Sequence, residues 1–407
     1  MQNPKIDELF EQTLAGSYDE DSSWSAVHQL RQIGTREVFV KAADWCKSLN
    51  PLHRARGADV LAQIGCTMES HKNAFQDESF VVITELLIHE VEPQPLASAI
   101  SALGHIYNPE AVPHIVRFTT HQDCEVRFAV ACALGHFPND PLSVQHLLIL
   151  TQDSDHDVRD WAIFGLGDQG DADTPEICEA FILRIIDPFE PARMETIIAL
   201  SKRQDIRVIP CLVAILERQA VARGYIEAAC YLLEIEYEPE GWSTSDYVKN
   251  IAQKYSDIIG DVSMTDPLWY EFRKAVYNKE YDLAESILQA NPKIIDMRNG
   301  IGETVLHYLT VENDGTGVAW LHSHGFGLNT KNKFGTPVVF EVAQLGYKEL
   351  LLWFAQQGVD FAVLDGENQN IVTFLNELDE KDMAQFVLDH VTDPALQNTH
   401  RGDQVKS

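Results

Sequence analysis

The stretch CEVRFAVACALGHF begins at Cys124, and HDVRDWAIFGLGDQ begins at His156. Two near-copies at a fixed offset constrain the fold more than any other feature. A unit this short cannot bury its own apolar face, so copies of it must stack on one another. Aligned, Val126, Val130, Ala133 and Leu134 fall over Val158, Ala162, Gly165 and Leu166. That is one face of an α-helix. The same frame ends at Gly34, Gly65, Gly104, Gly135, Gly167 and Ser201, a run of unequal but similar intervals. Between these points lie further apolar segments such as AVPHIVRF, VQHLLIL and EICEAFILRII. Each unit therefore predicts a helix, a turn and a second helix, with the glycine expected to stop the first helix at positive φ.

Within the good copies an arginine stands seven residues before the leucine, at Arg127, Arg159 and Arg193. Asp123 and Asp155 precede the first two by four residues, where an acid can cap a helix N-terminus. This Asp-x-x-Val-Arg-x-x-Ala-x-x-x-Leu-Gly pattern resembles HEAT repeats, of the short kind first associated with phycobilin lyases. The resemblance spans about residues 20 to 235 and implies a first domain over 1–236.

A different period follows. Gly302, Gly335 and Asn368 are evenly spaced, and Gly325 and Gly358 repeat the same step. The unit reads as turn, short helix, turn, longer helix. GETVLH and GYKELLLWFAQQGVDF are similar to the ankyrin repeat, with Val305 where that family has proline. The step also agrees with that family's period of about 33 residues. The resemblance implies four units over 266–395 and structural roles for Thr304 and His307. Residues 237–265, rich in Pro, Gly, Ser and Thr, fit neither frame and read as a linker with one short helix near 245–258; 396–407 read as a flexible tail. The expected fold is all-α, two solenoids in series.

Composition narrows function. With 62 acids against 31 bases the net charge is −31, which repels phosphate backbones and argues against nucleic acid, including the basic-faced HEAT-like DNA glycosylases. Residues 151–190 carry eleven acids and only Arg159 and Arg184 as bases. Such a field steers a basic protein partner. The N-terminus carries no leader pattern and the longest apolar run, FVVITELLI, is too short for a bilayer, so a cytoplasmic chain with no membrane association is expected. The seven cysteines form no CxxC pair and read as reduced core thiols.

Reaction centres are not written in the chain. His89–Glu90 and His156–Asp157 lie in different frames of their repeats and cannot build the four-His site of a di-iron HEAT hydroxylase. DSDHD at 153–157 lacks the glycine and glutamate of a calcium loop. No GxSxG, HExxH or phosphate loop occurs. No cofactor and no metal are expected. His105 and His136 follow their glycines identically and should sit side by side, each meeting a helix C-terminus as a cation.

The remaining candidates are contact residues: Phe128, Asp157, Asp160, Trp161 and Phe164 in consecutive repeats, and Phe334 at the tip of a turn. Core packing is the default for Trp161 and Phe164, whereas Phe128 and Phe334, beside charged neighbours, are expected to be exposed. The chain thus reads as a non-enzymatic protein-binding repeat protein with acidic concave faces, of the sort used as an immunity or antitoxin protein against a basic toxin. A bilin-lyase-like enzyme or subunit and a two-partner scaffold are the alternatives.

Overall fold

The computed structural model describes residues 6–67, 72–170, 172–218, 221–236, 240–259 and 267–391. The expected tail at 396–407 and parts of the expected linker, 237–239 and 260–265, lie outside them. The described chain is all-α; its one β feature is an isolated bridge between Lys331 and Pro337. It divides into two compact units, Met1–Phe181 and Ile182–Ser407. The change of repeat length read from the sequence falls inside the second unit.

In the first unit, α1 (Ile6–Gln12), α2 (Asp21–Ile33), α3 (Arg36–Trp45), α4 (Pro51–Ala62), α5 (Gln76–His89), α6 (Pro93–Ile106), α7 (Val112–Ile115), α8 (Cys124–Gly135), α9 (Pro141–Leu150) and α10 (His156–Gly167) form two layers. The inner layer is α2, α4, α6, α8 and α10, each packed on the next, with α1, α3, α5, α7 and α9 outside. Their seam is fully buried: Val27, Leu30, Leu61, Ile100, Leu103, Val130, Leu134, Val158 and Ile163.

Local chemistry sets the helix starts. The Asp123 carboxylate accepts the Glu125 and Val126 amides at 3.0 and 3.4 Å, and Asp155 accepts those of Asp157 and Val158 at 3.0 and 3.2 Å, satisfying donors that have no helical partner. Proline at the first turn of α4, α6 and α9 costs no hydrogen bond there. The repeated arginine has one job in four copies. Arg54, Arg127, Arg159 and Arg193 each donate to the carbonyls six and five residues earlier, at 2.5 to 3.3 Å. Arg127 also grips Asp153 of the following loop with two bonds of 2.7 and 2.8 Å, and Arg54 grips Glu90 likewise. A bidentate guanidinium fixes the step between units.

The glycines do two different things. Gly34 and Gly65 have φ of 54° and 78°, as expected for helix stops. Gly104 lies inside α6, while Gly135 and Gly167 are the last residues of α8 and α10; none of the three has the expected positive φ, and the left-handed residue ending α6 is Tyr107, φ 58°. Gly104 and Gly165 are there for close approach: an added Cβ would lie 2.9 Å from the Ala133 Cα and 3.2 Å from the Gly135 Cα. Cys46, Cys211 and Cys230 are buried, but Cys66, Cys124, Cys132 and Cys178 are only half-buried, so the core-thiol reading holds for three; none of the seven is in a disulfide.

The second unit continues from the end of α11 (Pro175–Arg184) through α12 (Glu190–Lys202), α13 (Ile209–Leu216), α14 (Arg223–Leu233) and α15 (Thr244–Ile259). The helix expected within a linker is α15; it is sixteen residues long and docked on α13 and α14, with Tyr247, Ile251 and Tyr255 buried. Then come α16 (Pro267–Tyr277), α17 (Tyr281–Ala290), α18 (Val305–Val311), α19 (Gly315–Ser323), α20 (Val338–Gln344), α21 (Lys348–Gln356), α22 (Ile371–Glu377) and α23 (Lys381–His390). From α18 the helices recur in pairs at one constant step, α18 to α20 to α22 and α19 to α21 to α23.

The same step governs the turns. Asn299, Asn332 and Asp365 each accept two backbone amides, two and four residues on, at 2.9 to 3.1 Å. Gly302, Gly335 and Asn368 supply the left-handed residue, φ 81°, 81° and 62°. Thr304 and His307 close a reciprocal cap on α18. These turns are covered. Phe334, expected to be an exposed tip, is 3% exposed, and the Arg193 guanidinium lies 3.7 Å from its ring centroid. An aromatic beside charges reads as exposed in sequence; here the charge comes from another helix and serves as its lid. Arg218 binds both Glu303 and Glu341, at 3.0 and 3.1 Å.

Candidate protein-binding groove

The inner layer of the first unit carries two adjoining cavities. One, of about 370 Å³, lies between α6, α8 and α10, with Phe128, Cys132, Trp161 and Phe164 in its walls and Gly135 and Gly165 among the small residues of its lining. The other, of about 570 Å³, extends toward α2 and α4 past Trp24, Arg31, Asp59 and Glu125. Ser101, His105 and Phe128 belong to both, so the two form one groove across five stacked helices.

The helical period explains the aromatic wall. Phe128 on α8 and Trp161 on α10 lie one register step apart in the aligned repeats, and Phe164 is three residues beyond Trp161. Trp161 meets both edge to face, with ring centroids 5.9 Å from Phe128 and 5.7 Å from Phe164, an arrangement favoured by the ring quadrupoles. Trp161 is 42% exposed, which overturns its default as a core residue; Phe128 and Phe164 are half-buried. Of the candidate contact residues, Phe128, Trp161 and Phe164 thus come together, with Asp157 exposed and Asp160 half-exposed on the same helix. Phe334 belongs to the second unit and takes no part.

The acids stand around this wall. Glu125 precedes Phe128 by three residues and Asp157 precedes Trp161 by four, so each acid shares a helical face with an aromatic. The Glu125 carboxyl is raised above its ordinary range, first by burial and then by Asp123, Asp155, Asp19 and Asp157. Burial also pushes the Cys132 thiol up to about 12, with Asp157 and Asp160 adding to it. The thiol is therefore protonated and inert at neutral pH, and both aspartates lie close to the apolar cavity.

His105 and His136 do sit side by side, ring centroids 5.1 Å apart. Both are lowered below the usual imidazole range: His105 by burial, then by His136 and Arg31, His136 by burial. They are neutral at pH 7, which corrects the expectation of cations at helix ends. Burial in the groove wall is the first cause in both, since it penalises the charged imidazole.

The far end of the groove holds a polar network that no sequence motif announces. Arg56, fully buried, donates to the Thr13 and Tyr18 carbonyls at 2.9 and 2.6 Å and to Asp59 at 3.2 Å. The Tyr18 hydroxyl donates to Asp59 at 2.6 Å and lies 2.7 Å from the Ser98 hydroxyl. Arg31 donates to the Asp59 carbonyl and to Gln63. Burial raises both Tyr18 and Asp59, the latter despite Tyr18, Arg56 and Arg31. Every member is occupied with another, so the network shapes the groove floor.

Of the pairs weighed as metal ligands, His156 and Asp157 lie against each other, Nδ1 to Oδ1 3.3 Å. Glu90 accepts Arg54 and the Val91 and Glu92 amides. Asp153, at the start of DSDHD, accepts Arg127 and the Asp155 amide. Among the described residues no three His, Cys, Asp or Glu side chains gather as a metal site, and no helix is long and apolar enough to cross a membrane.

Protein YibA of Escherichia coli strain K12 is 28% identical over 229 residues, covering 55% of this chain and 79% of that protein. An X-ray structure of Escherichia coli YibA shares 24% identity over 61% of this chain and 92% of its own, with a TM-score of 0.49. Human deoxyhypusine hydroxylase in complex with glycerol aligns at 18% identity over 62% of this chain and 90% of its own, with a TM-score of 0.26. Residues 81–167, which include α6, α8 and α10, match the family of HEAT repeats.

Proposed function

We propose that the chain is a non-enzymatic protein-binding repeat protein whose groove receives a basic segment of another protein. In this reading it acts in the cytoplasm as an immunity or antitoxin protein that captures a positively charged toxin. The observation that carries it is the partly open aromatic wall of Phe128, Trp161 and Phe164 with Glu125, Asp157 and Asp160 around it. Exposed aromatics grouped in a concavity are anchors for a partner, and a surrounding carboxylate field selects a cationic one. The net charge of −31 supports the same partner and disfavours nucleic acid. The evenly stepped helix pairs from α18 onward we take as ankyrin repeats.

The test is affinity purification from the source cell with the full chain and with Trp161→Ala and Phe128→Ala, the captured protein being identified by mass spectrometry. A basic protein should be recovered by the wild type, weakly by the variants, and less at high salt. Expressed alone it should arrest growth, and co-expression of the wild-type chain should restore it. Capture of an acidic protein, or capture indifferent to both substitutions, sinks the reading; a captured basic protein that is harmless when expressed removes the antitoxin role alone.

A further inference from the structure

We infer that the groove reads two adjacent side chains of its partner separately: an apolar one in the cavity at Trp161 and a lysine or arginine in the cavity at Glu125, with Phe128 as the wall between them. This rests on the reading of the groove as a protein-binding site and adds what it recognises.

The two cavities differ in chemistry. The one at Trp161 is walled by aromatic rings and floored by small residues, Gly135 and Gly165 among them, where α8 and α10 come within backbone contact. Its histidine edge is uncharged, as His105 and His136 both titrate below their ordinary range. Asp157 and Asp160 lie near this cavity but not in its lining, so a charged head buried here would lose water with no carboxylate against it, whereas an aliphatic or thioether side chain fills such a space well. The roughly 370 Å³ accommodates one large apolar side chain.

Its neighbour is wider and more polar. Asp19 and Glu125 are exposed at its mouth, and the proton affinity of Glu125 is raised first by burial and then by Asp123, Asp155, Asp19 and Asp157. A cation entering there relieves that repulsion. The one cation in its lining, Arg31, already bonds the Asp59 carbonyl and Gln63. Phe128 faces both spaces, so the stem of a lysine or arginine lies along a ring while its head reaches the carboxylates. Because the cavities share this wall, the two side chains must come from neighbouring positions of one segment.

Selection of short random peptides displayed on phage, against the full chain, tests this directly. Wild-type protein should enrich peptides that place Leu, Ile, Met or Phe within a few positions of Lys or Arg. Trp161→Ala should lower affinity for the enriched peptides by about tenfold and erase the apolar preference while the basic one persists. Glu125→Gln with Asp19→Asn should do the reverse and flatten the salt dependence. Enrichment of basic peptides with no apolar position, or loss of both preferences in either variant, overturns the two-pocket inference and leaves the groove as one undivided acidic surface. Peptides indifferent to all of these substitutions, or no enrichment at all, overturn the binding site itself.

Discussion

The inner-layer groove of the first unit and the turn edge of the second are built from the same ingredients and end differently. Each sets aromatic rings beside charged groups at the boundary of a stacked repeat. In the groove, Trp161 is left 42% exposed, with Phe128 and Phe164 half-open beside it. Along the turn edge, Phe334 is shut beneath Arg193, an added Cβ at Gly300 would lie 2.6 Å from the Pro210 carbonyl, and Arg218 is clasped by Glu303 and Glu341. A repeat edge becomes a site or a joint according to what the preceding helices lay over it. That difference is why the groove, and not the turn edge, is read as the partner surface.

If the turn edge is a structural joint, Arg218 is its most sensitive residue. Replacing it with Met leaves two carboxylates of 1% and 7% side-chain exposure without their counterion. Breaking a buried pair in this way costs about 3–5 kcal/mol. Hydrogen exchange across α18 and α20 should accelerate accordingly, and Arg218→Met combined with Glu303→Gln and Glu341→Gln should recover part of the loss. A matched pair comes next. Phe334→Ala should destabilise the chain by about 3 kcal/mol as a buried ring is lost, while Trp161→Ala should stay within about 1 kcal/mol yet weaken partner binding. Equal stability losses from the two, measured by denaturant titration with local exchange, would abolish the contrast.

The joint also predicts a pH response. Glu341 is raised to about 7, first by burial and against the pull of Arg218, with the nearby Glu303 adding to the rise and Arg193 opposing it. A carboxyl whose folded pKa exceeds its unfolded one binds its proton more tightly when folded. Its favourable contribution is full below the unfolded value and is lost as pH rises through about 7. Protection of α18 and α20 should therefore weaken from pH 5 to pH 8, and Glu341→Gln should remove that slope.

Much of this architecture was legible because repeats write their period directly. The even spacing of Gly302, Gly335 and Asn368 became three left-handed residues in three equivalent turns, and Asp123 and Asp155 became caps. The arginine ladder was readable too, and Arg54, seven residues before Leu61 like its three counterparts, carried a signal that was missed. Coverage was not legible. Nothing local to Phe334 says that Arg193, far earlier in the chain, lies over it, and nothing local to Trp161 says that its flank stays open. The Arg56–Asp59–Tyr18–Ser98 network was hidden for the same reason, its members joining elements that no motif links.

The smallest expected effect separates the two uses of glycine that the sequence pattern merged. At Gly34, φ is 54° and an added Cβ would lie 2.7 Å from the Gly65 Cα, so Gly34→Ala should cost at least about 1–2 kcal/mol. At Gly135 the backbone is helical and the added Cβ would meet only the Gly165 Cα at 3.5 Å, an ordinary contact. Helix propensity then favours Gly135→Ala by up to about 1 kcal/mol, and thermal denaturation should show a small rise in midpoint. Gly135 also lines the apolar cavity, so the same methyl should cost some affinity for a partner whose apolar side chain enters there. A glycine whose replacement strengthens the fold and weakens binding is kept for the groove; one whose replacement weakens both belongs to the stack.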